Sequence, residues 1–537
     1  MRERAPTERE PTPAWQGLLL YALVSMLWSW PLALAPVSST TALHFDVYPA
    51  AWLAEAAPSF VPSGTSGWSA WPEGEPLQRI DSFLFLGVAL LTGGAIPGML
   101  LVNLFVLLGP VASAWAAERF TRRALGVQGP AALVAGLCFA FAPIGLVAAL
   151  EGHVYTLLDP WVPLCALAVW EGRPRGAALH FALALLSTAY LGVAALLVAG
   201  AVALARREDL GRAALARVLG GMGAVGVAYA ALYLTGDGGP AREAGDAALR
   251  AGSATLTTAV AWSPWVDLAR HSLGPVLGVL PLCLGGLALA WGASRAQRVL
   301  GVVGLLTAVG TLGPWLELGV ARTEQFPGPL AWLAPTGIFE VYRFPARLGW
   351  VSALTLGALA SVLVARGSRR AQLAFVGAAA LDVLVASGAA WRMRAHPTPV
   401  PALYALLPQA PVLELYPEPG GEQEDLGFFQ QNLSCHAQLF HRRPILERCL
   451  NTDLRRSGRR TAARELHAAL FAGDPLAPVL ARWRVGSVVM HADLYATSDR
   501  AELLRGLDAA LGARIGEGRD GGEWLIAWKV EGGGDGG

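Results

Sequence analysis

Asp46 stands ten residues beyond an almost wholly apolar run, residues 14–36, in the stretch His44-Phe45-Asp46-Val47-Tyr48-Pro49. A carboxylate in that position can take the proton of an incoming hydroxyl, orient that hydroxyl or help to hold a metal ion. The same residue also fits a solvated loop acid. Further along, Glu151 and His153 flank Gly152, a residue suited to a tight turn. His153 there either hydrogen-bonds a phosphate, supports Asp46 or sits at a lipid–water boundary. The segment Arg343-Phe344-Pro345-Ala346-Arg347 carries two arginines four residues apart, which share a face if the segment is helical. Guanidinium groups grip phosphates through paired hydrogen bonds, and a helix N-terminus adds its own preference for anions. The alternative is snorkelling toward lipid headgroups. Pro345 is expected to start the helix, leaving Arg343 on the loop and Arg347 in the first turn.

Other ionisable groups fall at the same ends of apolar runs: Asp81, Asp159, Asp267, His271, Glu317 and Glu340. A charge at membrane depth costs at least about 2.5–3.5 kcal/mol unless it is paired or wetted. Asp159 precedes Pro160-Trp161, so a helix N-cap is its first reading. Asp382, midway in the run 371–391, and Asn103 read as helix–helix hydrogen-bond partners, and His180 as an interfacial residue. Trp52, Trp68, Trp71, Trp262, Trp265 and Trp332 fit an aromatic belt first and sugar stacking second.

The elements that must position these groups are membrane spans. Of the 537 residues, 54% are hydrophobic and 15% charged, with mean hydropathy +0.45. A soluble chain carries about 25% charged residues. A span needs about 20 apolar residues, at about 1.5 Å per residue across about 30 Å of hydrocarbon. Runs of that kind lie near 15–36, 96–118, 128–149, 155–170, 213–234, 273–293, 299–316, 346–365 and 371–391. Residues 83–92 are too short to span and read as an interfacial helix or a lead-in. The run 177–205 is either one span or two short helices breaking near Tyr190-Leu191-Gly192. Arginine pairs at Arg173/Arg175 and Arg206/Arg207 favour the broken form, because basic residues collect on the cytoplasmic face.

This arrangement gives an all-α polytopic membrane domain, residues 14–395, with about 11 crossings. A cytoplasmic tail, residues 1–13, precedes it, and long outer loops lie at 37–79, 235–272 and 317–345. Residues 398–530 form a small extracytoplasmic α/β or α+β domain, with 531–537 a disordered tail. Strands are expected at Pro411–Leu415 and Val485–Met490, helices at 460–472 and 499–512, and a closing strand at Trp524–Trp528.

Composition excludes several functions. A net charge of +1 offers no field for nucleic acid. Lys529 is the only lysine, which with the excess of Ala and Gly reads as coding bias. No phosphate-binding glycine loop, zinc spacing or Ser/His/Asp order occurs. Cys138, Cys165 and Cys283 lie in apolar runs, whereas Cys435 and Cys449 are spaced so that a disulfide is permitted but not demanded.

Several landmarks occur in one order. Asp46 comes first, then Ala135-Gly136-Leu137-Cys138-Phe139-Ala140-Phe141-Ala142-Pro143, Glu151-Gly152-His153 and Trp161-Val162-Pro163-Leu164. Tyr190-Leu191-Gly192 and Tyr342-Arg343-Phe344-Pro345-Ala346-Arg347 follow, and the tail carries Pro411–Leu415 and Gly486–His491. In this order the chain resembles the bacterial GT-C superfamily of polytopic membrane glycosyltransferases, and within it the YfhO-like members. The resemblance implies a polyprenyl-phosphate-linked sugar donor, a cell-envelope glycan or lipid acceptor, and catalysis at the outer face of the bacterial inner membrane. It makes Asp46 the catalytic carboxylate and Glu151, His153, Arg343 and Arg347 the donor-phosphate or substrate-binding residues. Many GT-C enzymes pair that first acid with a second. Here Asp46 has no acidic neighbour nearer than Glu55, so no cofactor is expected and a divalent metal is unsupported. The competing readings are a flippase or transporter of a lipid-linked substrate, for which Asp382 is the handle, and a non-catalytic membrane scaffold.

Overall fold

The computed structural model describes residues 14–40, 47–61, 82–234, 279–291, 293–312, 345–386, 402–408, 411–415, 441–446, 458–520 and 523–531, with short pieces at 65–66, 75–76, 315–318, 324–327, 330–332, 396–397, 417, 435, 437–438 and 449. The chain divides into two compact units. The first comprises Met1–Ala35, Asp81–Leu84 and Asn103–Ala395; the second comprises Pro36–Ile80, Phe85–Val102 and His396–Gly537.

The first unit is helical. Among the described residues, four helical segments are long and apolar enough to cross a membrane: Gly98–Leu125, Ala131–Leu150, Gly211–Ala231 and Ala346–Val364. The helix Gly349–Val364 is at its centre and packs on Val279–Ala290, Ala131–Ala140 and Arg295–Gly310. Its sequence, rich in Ala, Gly, Ser and Leu, is buried almost throughout, and small residues let the backbones approach. Trp350 meets Phe139 edge-on, with ring centroids 6.0 Å apart. The Ser352 and Thr307 hydroxyls hydrogen-bond across two helices at 2.8 Å, so neither is left unsatisfied among apolar neighbours. Ser294 begins Arg295–Gly310 with a capping box to Gln297.

Prolines and extended residues set the helix breaks. The run 128–149 folds as Ala131–Ala140 and Pro143–Glu151, with Pro143 opening the second piece. The run 177–205 breaks at Thr188, whose φ of −170° is extended, between Pro174–Ser187 and Ala189–Ala205. The first apolar run differs from expectation. Its helix covers only Ala14–Trp28, followed by turns and a short 3-10 segment, Leu32–Leu34. Pro31 is the reason, since the residue before a proline is driven out of the helical region.

The second unit holds a mixed four-stranded sheet. Val412–Leu415 runs parallel to Ser487–His491, which pairs antiparallel with Glu523–Lys529, and that strand pairs with Arg514–Asp520. Leu413, Leu415, Val488, Met490, Ile526 and Trp528 pack with Leu466 of the helix Gly458–Ala472 and with Leu503 and Leu507 of Thr497–Leu511. The expected closing strand is therefore internal. The edge strand Arg514–Asp520 escapes the sequence pattern because Ile515 is its only apolar side chain. A ten-residue helix, Val47–Ala56, occupies part of the expected loop 37–79. Trp52 on it donates Nε1–H to Gln438 at 2.9 Å, and Glu55 accepts from the Gly98 N–H and pairs with Arg442. Cys435 and Cys449 form a disulfide, with Cα atoms 5.6 Å apart.

Candidate functional site

His153 is fixed by the way its helix ends. Pro143–Glu151 terminates in Gly152 at φ +82°, a left-handed conformation that glycine adopts without strain. The His153 N–H then reaches back to the Ala148 carbonyl at 2.8 Å, closing the helix terminus. Its carbonyl accepts from the Thr156 hydroxyl at 2.8 Å and the Thr156 N–H at 3.1 Å. The backbone on both sides is thus tied down, and the imidazole projects from a defined point.

Arg347 lies in the 3-10 turn Pro345–Leu348, which runs directly into Gly349–Val364. This matches the expected start at Pro345. Only 9% of Arg347 is exposed. Its guanidinium lies over the ring of Tyr190, with Cζ 4.0 Å from the centroid. Its Nη2 lies 3.2 Å from Nδ1 of His153. A guanidinium has only donors, so Nδ1 is the acceptor here. Three distant segments meet at this point, all in the first unit. Tyr190 is the second residue of Ala189–Ala205 and entered the sequence reading at a helix break and as a landmark of the resemblance, not as a site residue.

The cluster brings a guanidinium and an imidazole together beside one aromatic ring. Arg347 is held against an aromatic face, a contact that strengthens as water is removed. Such a group of donors around a permanent cation suits a phosphate.

Asp159 departs from its expected capping role. The helix after it, Trp161–Trp170, has Pro160 at its cap position and no side-chain cap. The Asp159 N–H donates to the Ser113 hydroxyl at 3.2 Å, and its carboxylate is buried without a hydrogen-bond partner among the described residues. Ser113 is on Gly98–Leu125, which approaches this segment closely. A Cβ on Gly109 would stand 2.7 Å from the Leu157 carbonyl oxygen. Glu118 on the same helix is a polar residue that sequence reasoning missed. It accepts from Tyr21 Oη at 2.9 Å and from Arg122 Nε at 2.7 Å, and the only signal was its i,i+4 spacing to Arg122.

Asp46, Asp81, Asp267, His271, Glu340 and Arg343 lie outside the described residues. Glu151 ends its helix, and Glu317 lies in the strand Trp315–Leu318. Asp382 is half-buried on Arg369–Ala386. Among the described residues, no group of three or more His, Cys, Asp and Glu is arranged to hold a metal ion.

The second unit carries a separate buried cluster. Glu414 accepts from His491 Nε2 at 2.8 Å and from Tyr404 Oη at 3.4 Å, with His441 Nε2 at 3.8 Å. Burial works to raise its pKa, but the hydrogen-bonded His491 and the nearby His441 outweigh it and bring the carboxyl down to about 2.

The chain shares its fold with solved structures of GT-C glycosyltransferases. No family model and no curated protein matches the sequence. Among solved structures, the chain resembles the arabinofuranosyltransferase AftD from mycobacteria at 17% identity and TM-score 0.55, over 98% of this chain and 40% of AftD. It resembles ArnT from Cupriavidus metallidurans, solved with undecaprenyl phosphate bound, at 13% identity and TM-score 0.54, over 96% of this chain and 98% of ArnT. The chain thus spans two fifths of AftD and nearly all of ArnT. At these identities the likeness establishes fold. With four long apolar helices, the chain is a multi-pass membrane protein.

Proposed function

We propose that the chain is a membrane glycosyltransferase, or a diverged relative of one, that moves a sugar from a polyprenyl-phosphate donor to a cell-envelope acceptor. The observation that carries this reading is the convergence of Arg347, His153 and Tyr190 on one point of a GT-C fold. That undecaprenyl phosphate occupies ArnT supports a polyprenyl phosphate as the ligand class. In this reading Arg347 and His153 bind the donor phosphate, with Arg343 and Glu151 beside them in sequence. Arg347 neutralises the charge that grows on the leaving lipid phosphate. Asp46 takes or orients the acceptor proton. The reaction runs at the outer face of the bacterial inner membrane, with the N-terminus cytoplasmic and residues 398–530 extracytoplasmic.

The test uses membranes carrying wild type, Asp46→Asn or Arg347→Ala at equal expression. A panel of labelled polyprenyl-phosphate sugars is supplied and loss of label from the lipid is followed. Turnover by wild type, abolished in both variants, is the expected result. Equal turnover in all three removes both residues from the mechanism. Transport of an intact lipid-linked sugar, with no transfer, replaces the enzyme by a flippase.

A further inference from the structure

The helix Val47–Ala56 begins one residue after Asp46. A helix this short is marginal in water by itself. Eight of its ten residues are buried, so packing and not propensity sets its place.

That packing comes from a distant loop, closed by the Cys435–Cys449 disulfide. Within the loop, Gln438 accepts from Trp52 Nε1 at 2.9 Å, with both side chains fully buried. Arg442 stands one turn further on, its N–H bonded to the Gln438 carbonyl at 3.0 Å, and its guanidinium pairs with Glu55. The second carboxylate oxygen of Glu55 accepts from the Gly98 N–H at 2.9 Å. Gly98 lies so near that a Cβ on it would collide with the Ala51 carbonyl. Behind these contacts the loop is tied to the sheet. The Val412 N–H bonds the Pro444 carbonyl at 2.9 Å, and Ile445 bridges to Val412. The Arg443 guanidinium donates to the Leu407 and Pro408 carbonyls at 2.6 and 2.7 Å.

Arg442 itself has φ +55°, the left-handed region that a residue with a Cβ enters only at a cost. Glycine would be relaxed there. Such strain persists where the surroundings over-determine it. What arginine supplies and glycine lacks is the cation on Glu55. The chain before Asp46 is held as well, since Ser39–Thr40 pairs antiparallel with His396–Pro397. Both flanks of residues 41–46 are thus bonded to C-terminal segments, all within the second unit.

We propose that Gln438 and Arg442 are positioning residues for the transfer: the disulfide-closed loop fixes the helix Val47–Ala56, and through it the backbone from which Asp46 acts. The proposal rests on reading Asp46 as the carboxylate that serves the acceptor. A misplacement of about 1 Å can cost roughly a hundredfold in rate. Because the loop acts on the acceptor side, its loss should appear in kcat and not in the KM for the donor lipid.

The experiment reads turnover of the labelled polyprenyl-phosphate sugars and hydrogen exchange on the same full-length protein in nanodiscs. Arg442→Gly relieves the backbone while removing the cation. It should speed exchange over 47–56, leave 487–491 protected and lower kcat roughly 10–100-fold at unchanged donor KM. Gln438→Met, which takes the acceptor away from Trp52 at similar length, should act in the same direction. Arg442→Lys, which keeps a cation for Glu55, should recover most of the rate. Wild-type kcat in both Arg442→Gly and Gln438→Met, whatever their exchange, overturns the proposal and leaves the enzyme reading standing. So does a loss of rate with unchanged exchange over 47–56, or one that Arg442→Lys fails to restore. No turnover by wild type with any donor overturns the enzyme reading and this proposal together.

Discussion

At the scale of single residues, the candidate site depends on how Arg347 is held. The Tyr190 ring supplies a face for a guanidinium that is largely withdrawn from water, where such a contact is worth about 2 kcal/mol. Tyr190→Phe keeps the face and should bind undecaprenyl phosphate nearly as wild type. Tyr190→Ala should weaken it about tenfold by freeing the guanidinium. Calorimetric titration of the two variants checks this, and equal loss in both would mean that the phenol hydroxyl, not the ring, is what matters. Glu414 makes a second prediction. Its carboxyl is brought from an ordinary 4.5 to about 2 in the folded chain. A depressed carboxylate stabilises above its unfolded value and loses that contribution as pH falls through the folded one. Wild type should lose on the order of 2–3 kcal/mol from this group between pH 4.5 and 2. Glu414→Gln should lose less across the same window, read by thermal unfolding of the second unit through fluorescence of its buried tryptophans. Arg347 and His153 were visible in sequence one at a time, from residue type and position. Their pairing was not, because 194 residues separate them and no periodicity links them. Glu414 read as part of an apolar strand, since its two histidines arrive from other segments.

At the scale of elements, the sequence was most readable where it dictates backbone geometry. Pro345 begins a helical segment and Gly152 ends one, as read, whereas Pro143 splits the run 128–149 that was read as one span. Thr188 breaks a helix close to the expected place. Pro31 shortened the first helix, an effect outweighed in the reading by the apolar run around it. The strand Arg514–Asp520 could not be read, because an edge strand held by backbone pairing needs little apolar alternation. Nor does sequence say which glycines lie at helix contacts. Gly109→Ala would force its Cβ to within 2.7 Å of a backbone oxygen that cannot swing away. It should cost about 1–3 kcal/mol, the usual price of overpacking. Gly220→Ala, with nothing within 4 Å of the added carbon, should be neutral or stabilising by up to about 1 kcal/mol. Thermal denaturation of both in the same detergent tests the difference. Similar melting temperatures would mean that the helix Gly98–Leu125 is not held close at Gly109.

At the scale of the whole molecule, the orientation that places the reaction outside rests on arginine clusters in sequence, and the disulfide offers an independent handle. Cys435 and Cys449 are 14 residues apart and bonded. Such bonds persist on the oxidising side of a membrane and are reduced in the cytosol. Closing a loop of about 15 residues stabilises a domain by about 3 kcal/mol in the chain-entropy picture. Cys435→Ser should therefore lower the melting temperature of the second unit, with little change in the first. Orientation is tested in right-side-out vesicles, using Cys283→Ser to remove the exposed free thiol. Cys138 and Cys165 are buried and should stay silent. A membrane-impermeant maleimide should label the protein only after an impermeant reductant has opened the disulfide. Adding Cys435→Ser and Cys449→Ser together should abolish that label. Labelling confined to inside-out vesicles, without need of reductant, would place residues 398–530 in the cytoplasm. The arginine-based orientation would then be reversed, and the outer-face reaction would lose its geometric basis even if Arg347 still bound a lipid phosphate.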